Sequence, residues 1–166
     1  MQARSAPRPD ARVVATFGMT NEQGAPQVFL LEDRVSGPEG RPWFHALLPV
    51  RPNGTRGYIP VADLRLAETP YHLVLNRQAR ALTLWDGCDE VRTYPVGLGT
   101  KQTPTPVGKF YLSSLLRPPS PDSVYGSYAY GLSGYSRVIT DWTWGGLVGL
   151  HGTNDPSSVG ELRSKG

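Results

Sequence analysis

The sequence predicts an all-β protein with at most short helices, and three observations carry that prediction. Short apolar and β-branched runs recur along the chain, each bounded by Gly, Pro, Asn or Asp. No stretch keeps a 3.6-residue apolar period beyond two turns. Glycine and proline supply 19 and 16 of the 166 residues, many in pairs that read as turns.

The totals narrow the function classes. A chain of this length holds one or two domains, and 19% charged with 10% aromatic residues is a globular composition. The net charge of +3 is spread evenly: eight basic and seven acidic residues up to and including Glu68, nine and seven beyond it. Neither half holds a basic patch interleaved with aromatics, so no nucleic-acid partner is expected. No run approaches the ~20 apolar residues of a membrane helix. The start is polar and Pro-rich, without the apolar core of an export signal. Cys88 is the one cysteine, so no intrachain disulfide forms. No cluster of His, Asp, Glu or Cys has metal-ligand spacing, and no metal is expected.

Taken in order, residues 1–10 read as a disordered lead. Four short strands follow, Ala11–Phe17, Gln27–Glu32, Trp43–Val50 and Thr55–Ile59. They are separated by turn chemistry at Asn21–Gly24, Ser36–Gly40 and Pro52-Asn53-Gly54. The segment W-F-H-A-L-L-P-V-R-P-N-G-T-R-G-Y-I-P-V-A-D-L, Trp43 to Leu64, resembles the end of a bacterial SH3-like barrel. An SH3-like β domain over residues 11–67 is what this resemblance implies. Glu68-Thr69-Pro70 reads as a linker.

Beyond the linker the strand signals sharpen. Tyr71–Asn76 is apolar, Ala81–Trp85 alternates, and Asp86-Gly87 is a hairpin dipeptide leading to Val91–Val96. In G-L-G-T-K-Q-T-P-T-P-V-G-K-F-Y-L, Gly97 to Leu112, each Thr-Pro pair forces extended backbone before a strand expected at Lys109–Leu112. The Pro-, Ser- and Tyr-rich stretch from Leu116 to Tyr130 reads as a functional loop or lid. Leu147–His151 is a final apolar strand. Pro156–Leu162 can start a short helix with Asp155 as its N-cap.

That last strand delivers His151 into H-G-T-N-D-P, and after a loop the chain reads Ser164-Lys165-Gly166. Together with the strand–hairpin–strand and T-P-T-P-x-G-x-F pattern, this resembles the L,D-transpeptidase catalytic domain. Its signature is a histidine opening H-G-T-N, then S/T-x-G and a nucleophilic cysteine. The resemblance implies a β-sandwich over residues 70–166, cut off where the cysteine is expected next, and a chain inactive by itself. It implies His151 as the base, the Gly152 carbonyl as its orienting partner, and Ser164 and Gly166 as parts of the motif beside the nucleophile. Lys165, a substrate-binding candidate, stands where histidine is commoner, and a cation there favours an oxyanion. Tyr128 and Tyr130 are candidates for the acyl-donor groove, as is Tyr125. Ordinary loop packing is the other reading of all three.

The implied reaction is thioester acyl transfer on peptidoglycan stem peptides, outside the cytoplasm, without a cofactor, by a monomer. The rivals are a non-catalytic wall-binding module and an L,D-carboxypeptidase using the same residues. Other candidates have plainer readings. Cys88 lies in a hairpin turn among acidic residues, the wrong electrostatic setting for a thiolate nucleophile. His45 and His72 sit inside strand patterns. Thr103 and Thr105 read as turn and strand punctuation, Asp155 as a helix cap, and Trp142 and Trp144 as packing residues.

Overall fold

The computed structural model describes residues 1–120, 122–141 and 143–164, leaving out the side chains of Thr143 and Trp144. The Trp142 expectation lies outside the described residues, and of Trp144 only the backbone is described. The architecture is all-β, as the turn-punctuated runs predict; the one α-helical turn, Thr143–Gly146, is four residues long.

The first five strands are β1 (Gln2–Arg4), β2 (Val13–Thr16), β3 (Leu30–Ser36), β4 (Pro42–Leu47) and β5 (Arg56–Pro60). They form one antiparallel sheet in the order β2-β1-β5-β4-β3. Its core is Ala3, Ala46, Leu48 and Ile59, each at most 1% exposed. Phe17 and Phe29 pack edge to face beside it.

The expectation of a disordered lead over residues 1–10 is corrected. β1 lies between β2 and β5, and Ala3 is fully buried. The terminal amine donates to Phe17 O at 2.8 Å, and Phe17 N donates back to Met1 O at 2.9 Å. Polar Gln2 and Arg4 around one small buried residue, Ala3, hid this strand from a hydrophobicity reading. Its partner shows the reason for the small side chain: a Cβ on Gly57 would stand 3.1 Å from the Ala3 Cβ and 3.0 Å from a Leu48 methyl. The glycine of G-Y-I-P thus permits β1 and β5 to approach. The strand expected at Gln27–Glu32 begins at Leu30 and runs on to Ser36. Pairing with β4, not apolarity, sets its length: the ladder continues through Asp33 and Arg34 to Ser36 opposite Pro42.

Strands β6 (Tyr71–Asn76), β7 (Ala81–Asp86) and β8 (Asp89–Pro95) form a separate antiparallel meander. The register Leu73↔Leu84 and Leu75↔Leu82 puts four leucines on one face. Cys88 sits exposed in its tight β7–β8 turn.

β9 (Leu98–Gly99) runs parallel to β13 (Leu162–Ser164). β10 (Leu112–Leu116), β11 (Ala129–Tyr135) and β12 (Leu147–His151) make the last antiparallel sheet, with β11 central. The strand expected at Lys109–Leu112 starts only at Leu112. At Tyr111 one main-chain bond remains, Ser133 N donating to Tyr111 O at 2.9 Å, while the Tyr111 N–H goes to a side chain, Ser133 Oγ, at 3.0 Å. The helix expected over Pro156–Leu162 is a single 3-10 turn, Pro156–Ser158; Val159 is extended and Gly160 has φ of 83°.

Side chains join the N-terminal sheet to the rest. Tyr111 Oη donates to Val28 O at 3.0 Å, and burial pushes its phenol up so that it stays a neutral donor. Asn21 Nδ2 donates to Ser113 O at 3.0 Å. Glu32 accepts from Arg56 Nε at 2.6 Å and from Lys109 Nζ at 3.3 Å, its own side chain only 15% exposed.

The hydrogen bond from Arg56, aided by Lys109, holds the Glu32 carboxyl below its ordinary value of 4.5. A depressed folded pKa contributes stability that is complete above the unfolded value and is lost as pH falls through the folded one. Glu32→Gln should therefore cost about 1–2 kcal/mol at pH 7. The gap to the parent protein should close as pH drops below about 4. Urea unfolding at pH 7 and pH 3 measures both.

Candidate active site

The β11–β12 hairpin positions the central residue. His151 ends β12, opposite Ala129 of β11, at the point where the chain leaves the sheet for the H-G-T-N loop. Its Nδ1 lies 2.6 Å from Gly152 O. A carbonyl only accepts, so Nδ1 carries the proton and Nε2 presents its lone pair. The Tyr125 ring meets the imidazole edge to face at 5.0 Å, an interplanar angle of 88°. His151 itself is exposed.

A cavity of about 450 Å³ opens beside it. His151, Gly152, Thr153 and Leu150 form one side, and Gly126, Ser127, Tyr128 and Tyr130 of the loop and β11 form the other. Among the described residues no acidic side chain lines it. The Arg117 guanidinium lies over the Tyr128 ring at 5.6 Å, and among the described residues no carboxylate pairs with it. The size suits a small peptide-like ligand, and the open cation at the edge suits an anionic group on it.

The loop before β11 is tied to the histidine loop by hydrogen bonds to its carbonyls. Gly152 N donates to Tyr128 O at 3.2 Å, and Asn154 Nδ2 donates to Asp122 O at 3.0 Å. Gly126 is where the two loops touch. A Cβ there would come within 2.9 Å of both Gly152 Cα and Thr153 N. Its φ of 65° is also one that L-residues adopt at a cost.

Asp155 caps the 3-10 turn as the sequence suggests, accepting from Ser157 N at 3.0 Å and from Ser157 Oγ at 2.6 Å. These bonds, the side-chain one foremost, lower its pKa. The turn leads into β13 and Ser164. Ser164 does not line the cavity; it is half-buried against β9. Its carbonyl accepts from Thr100 N and from Thr103 Oγ1, both at 3.3 Å. Thr105 Oγ1 accepts from Gly99 N at 2.8 Å. The threonines of T-K-Q-T-P-T-P thus hold β9 and the end of β13 at Ser164, a role beyond punctuation. Side-chain bonds over 61 residues of separation leave no periodic signal in a sequence. Lys165 and Gly166 lie outside the described residues.

The structure brings His151, Gly152, Tyr128 and Tyr130 together around one cavity. The sequence reading did not name Gly126, Ser127 or Thr153 as site residues; of these, Gly126 is the one whose missing side chain lets the two loops meet. His45 stacks on Tyr58 and His72 on Trp85, each within its own sheet.

Gly126→Ala should destabilise the fold by about 1–3 kcal/mol through strain and the clash with the histidine loop. Gly24→Ala is the control: φ there is 77°, with nothing within 4 Å of the added Cβ. Denaturant unfolding of the two variants should show the larger loss at Gly126. Equal losses would mean that loop contact adds nothing to backbone strain.

The YkuD family, the L,D-transpeptidase catalytic domain, matches residues 70–166. A Bacillus subtilis (strain 168) protein provisionally named L,D-transpeptidase YkuD is 35% identical over 97 residues, 58% of this chain and 51% of that protein. Its namesake in Bacillus licheniformis is 31% identical over 128 residues, 73% of this chain and 70% of that protein. The chain thus spans about half the length of the first relative and about two thirds of the second. With its β-strand architecture and a match over more than half its length, the chain belongs to the YkuD family of L,D-transpeptidase catalytic domains.

Proposed function

We propose that this protein is an extracytoplasmic L,D-transpeptidase that crosslinks peptidoglycan stem peptides by cysteine acyl transfer, with His151 as general base. The observation that carries the reading is the Nδ1–H bond to Gly152 O, which leaves Nε2 of an exposed histidine free at the edge of a cavity. In the family pattern the nucleophile is the cysteine that follows S-x-G, the position after Gly166. Cys88 is not that group: it sits in the turn of a meander and does not line the cavity.

The steps are those the family resemblance implies, with Nε2 of His151 as the base. Nε2 takes the thiol proton, and the thiolate attacks the carbonyl carbon of the diamino-acid residue in the donor stem. The tetrahedral intermediate collapses with cleavage of the C–N bond, and the imidazolium returns its proton to the departing D-alanine amine. An acceptor amine then attacks the thioester. It loses its proton to Nε2, a new amide forms, and the cysteine is regenerated. Gly152 O stabilises the imidazolium in both halves by keeping its hydrogen bond from Nδ1. Backbone N–H groups near the nucleophile supply the oxyanion contacts.

Tyr128 and Tyr130 give the cavity amphipathic walls, Tyr125 stands edge-on to His151, and Arg117, stacked on Tyr128, offers a contact to a carboxylate of an acidic donor. Lys165 adds a second cation beside the motif. Five short antiparallel strands around one core support reading residues 11–67 as an SH3-like unit, extended at its start by β1. The cycle uses no metal or organic cofactor.

Incubation of the full-length protein with a stem tetrapeptide should add the mass of the tripeptide acyl group to the motif cysteine. His151→Ala should lower the acylation rate by at least ~10²-fold. A crosslinked product with an amine acceptor identifies the transpeptidase. Release of D-alanine without crosslinking would make it a carboxypeptidase. Stem binding with no mass shift would make it a binding module.

A further inference from the structure

The N-terminal sheet reaches the active-site hairpin through one turn. Residues 51–54 follow β4, and two side chains of that turn point at the far end of β11–β12. Asn53 Nδ2 donates to Tyr135 O at 2.7 Å, while Asn53 Oδ1 accepts from Tyr135 N at 2.9 Å. This pair of bonds is what a neighbouring strand would offer one residue of β11. Arg51 works on the connection between β11 and β12. Its Nη1 donates to Ser136 O at 2.7 Å and its Nη2 to Gly145 O at 2.6 Å, with Ile139 O at 3.5 Å. The guanidinium also lies 4.9 Å over the Tyr135 ring. Tyr135 Oη returns a bond to Pro49 O at 3.1 Å.

The β11–β12 ladder is regular at the histidine end, from Ala129↔His151 to Gly131↔Gly149, and shifts between Gly131 and Tyr135. The clamped carbonyls lie at the interrupted end, where Ser136 N also donates to Gly146 O at 2.8 Å, so the clamp adds to the ladder on the side where it is broken. Tyr135 opposite Leu147 closes one end, and Ala129 opposite His151 closes the other. Arg51 binds one carbonyl just after β11, Ser136, and one just before β12, Gly145. Any slip of β12 must break at least one of these bonds.

We infer that Arg51 and Asn53 are positioning residues for His151: the N-terminal sheet clamps the β11–β12 connection and thereby reinforces the register that places the histidine at the cavity. The link to catalysis rests on His151 acting as the base; the link to register does not. A fork of planar donors suits a set of carbonyls that a lysine ammonium cannot span. The N-terminal unit is accordingly a fixed part of the active site's support and not a tethered module.

The test uses the full chain with Arg51→Met, Arg51→Lys and Asn53→Ala. Amide hydrogen exchange should accelerate on the order of ten-fold at Val148–His151 in Arg51→Met and Asn53→Ala, with β3–β5 unchanged. Arg51→Lys should fall between them and the parent. In the full-length protein, kcat should drop by about 10–100-fold, the scale of a roughly 1 Å misplacement, with KM nearly unchanged. Unaltered exchange at β12 in the folded variants would overturn the inference. So would exchange that rises equally in every strand, because the clamp would then be a general folding requirement. Altered exchange at β12 with no effect on kcat would leave the register role standing and remove His151 from the reaction.

Discussion

The hydrogen bond from His151 Nδ1 to the carbonyl of its own neighbour, Gly152, is the constraint on which the site depends. It fixes the tautomer without a carboxylate, so the histidine needs no buried acid and no desolvated ion pair. The cost is a demand on backbone geometry. The carbonyl must turn back onto the ring that precedes it, and every nearby contact serves that turn. Gly152 N is held by Tyr128 O, Gly126 packs against the Gly152 backbone, and Tyr125 stands edge-on to the imidazole.

That geometry is supported from two directions. The loop before β11 meets the histidine loop through Gly126 and through the bond from Asn154 to Asp122 O. The β11–β12 hairpin is held at its opposite end by Arg51 and Asn53. On the far side of the motif, Thr100 and Thr103 converge on the carbonyl of Ser164. Most of these bonds join a side chain to a backbone group. A site made of loops gains its rigidity this way, because loop carbonyls have no ladder of their own to satisfy them.

Much of this was legible in the sequence, for reasons that particular residues make plain. The meander of β6 to β8 announced itself through alternation and Asp86-Gly87, because local turn chemistry decides a hairpin. His151 and Gly152 stand out through H-G-T-N, because that contiguous motif carries the resemblance to the family. Tyr128 and Tyr130 were named as candidates and share the cavity with them. What escaped was non-local. β1 is short and built around an alanine, so its burial against Gly57 has no apolar signature. Thr103 and Arg51 act on backbone atoms 61 and 85 residues away, and neither strand period nor spacing encodes such a bond. The length of β3 was misjudged because pairing with β4 carries it through charged residues on an edge.

The most direct measurement is the ring tautomer of His151, read from long-range proton–nitrogen correlations at a pH where the imidazole is neutral. A proton on Nδ1, with Nε2 unprotonated, is what a base oriented by Gly152 O requires. A proton on Nε2 would mean that the carbonyl does not hold the ring, and the histidine would then have no lone pair facing the cavity.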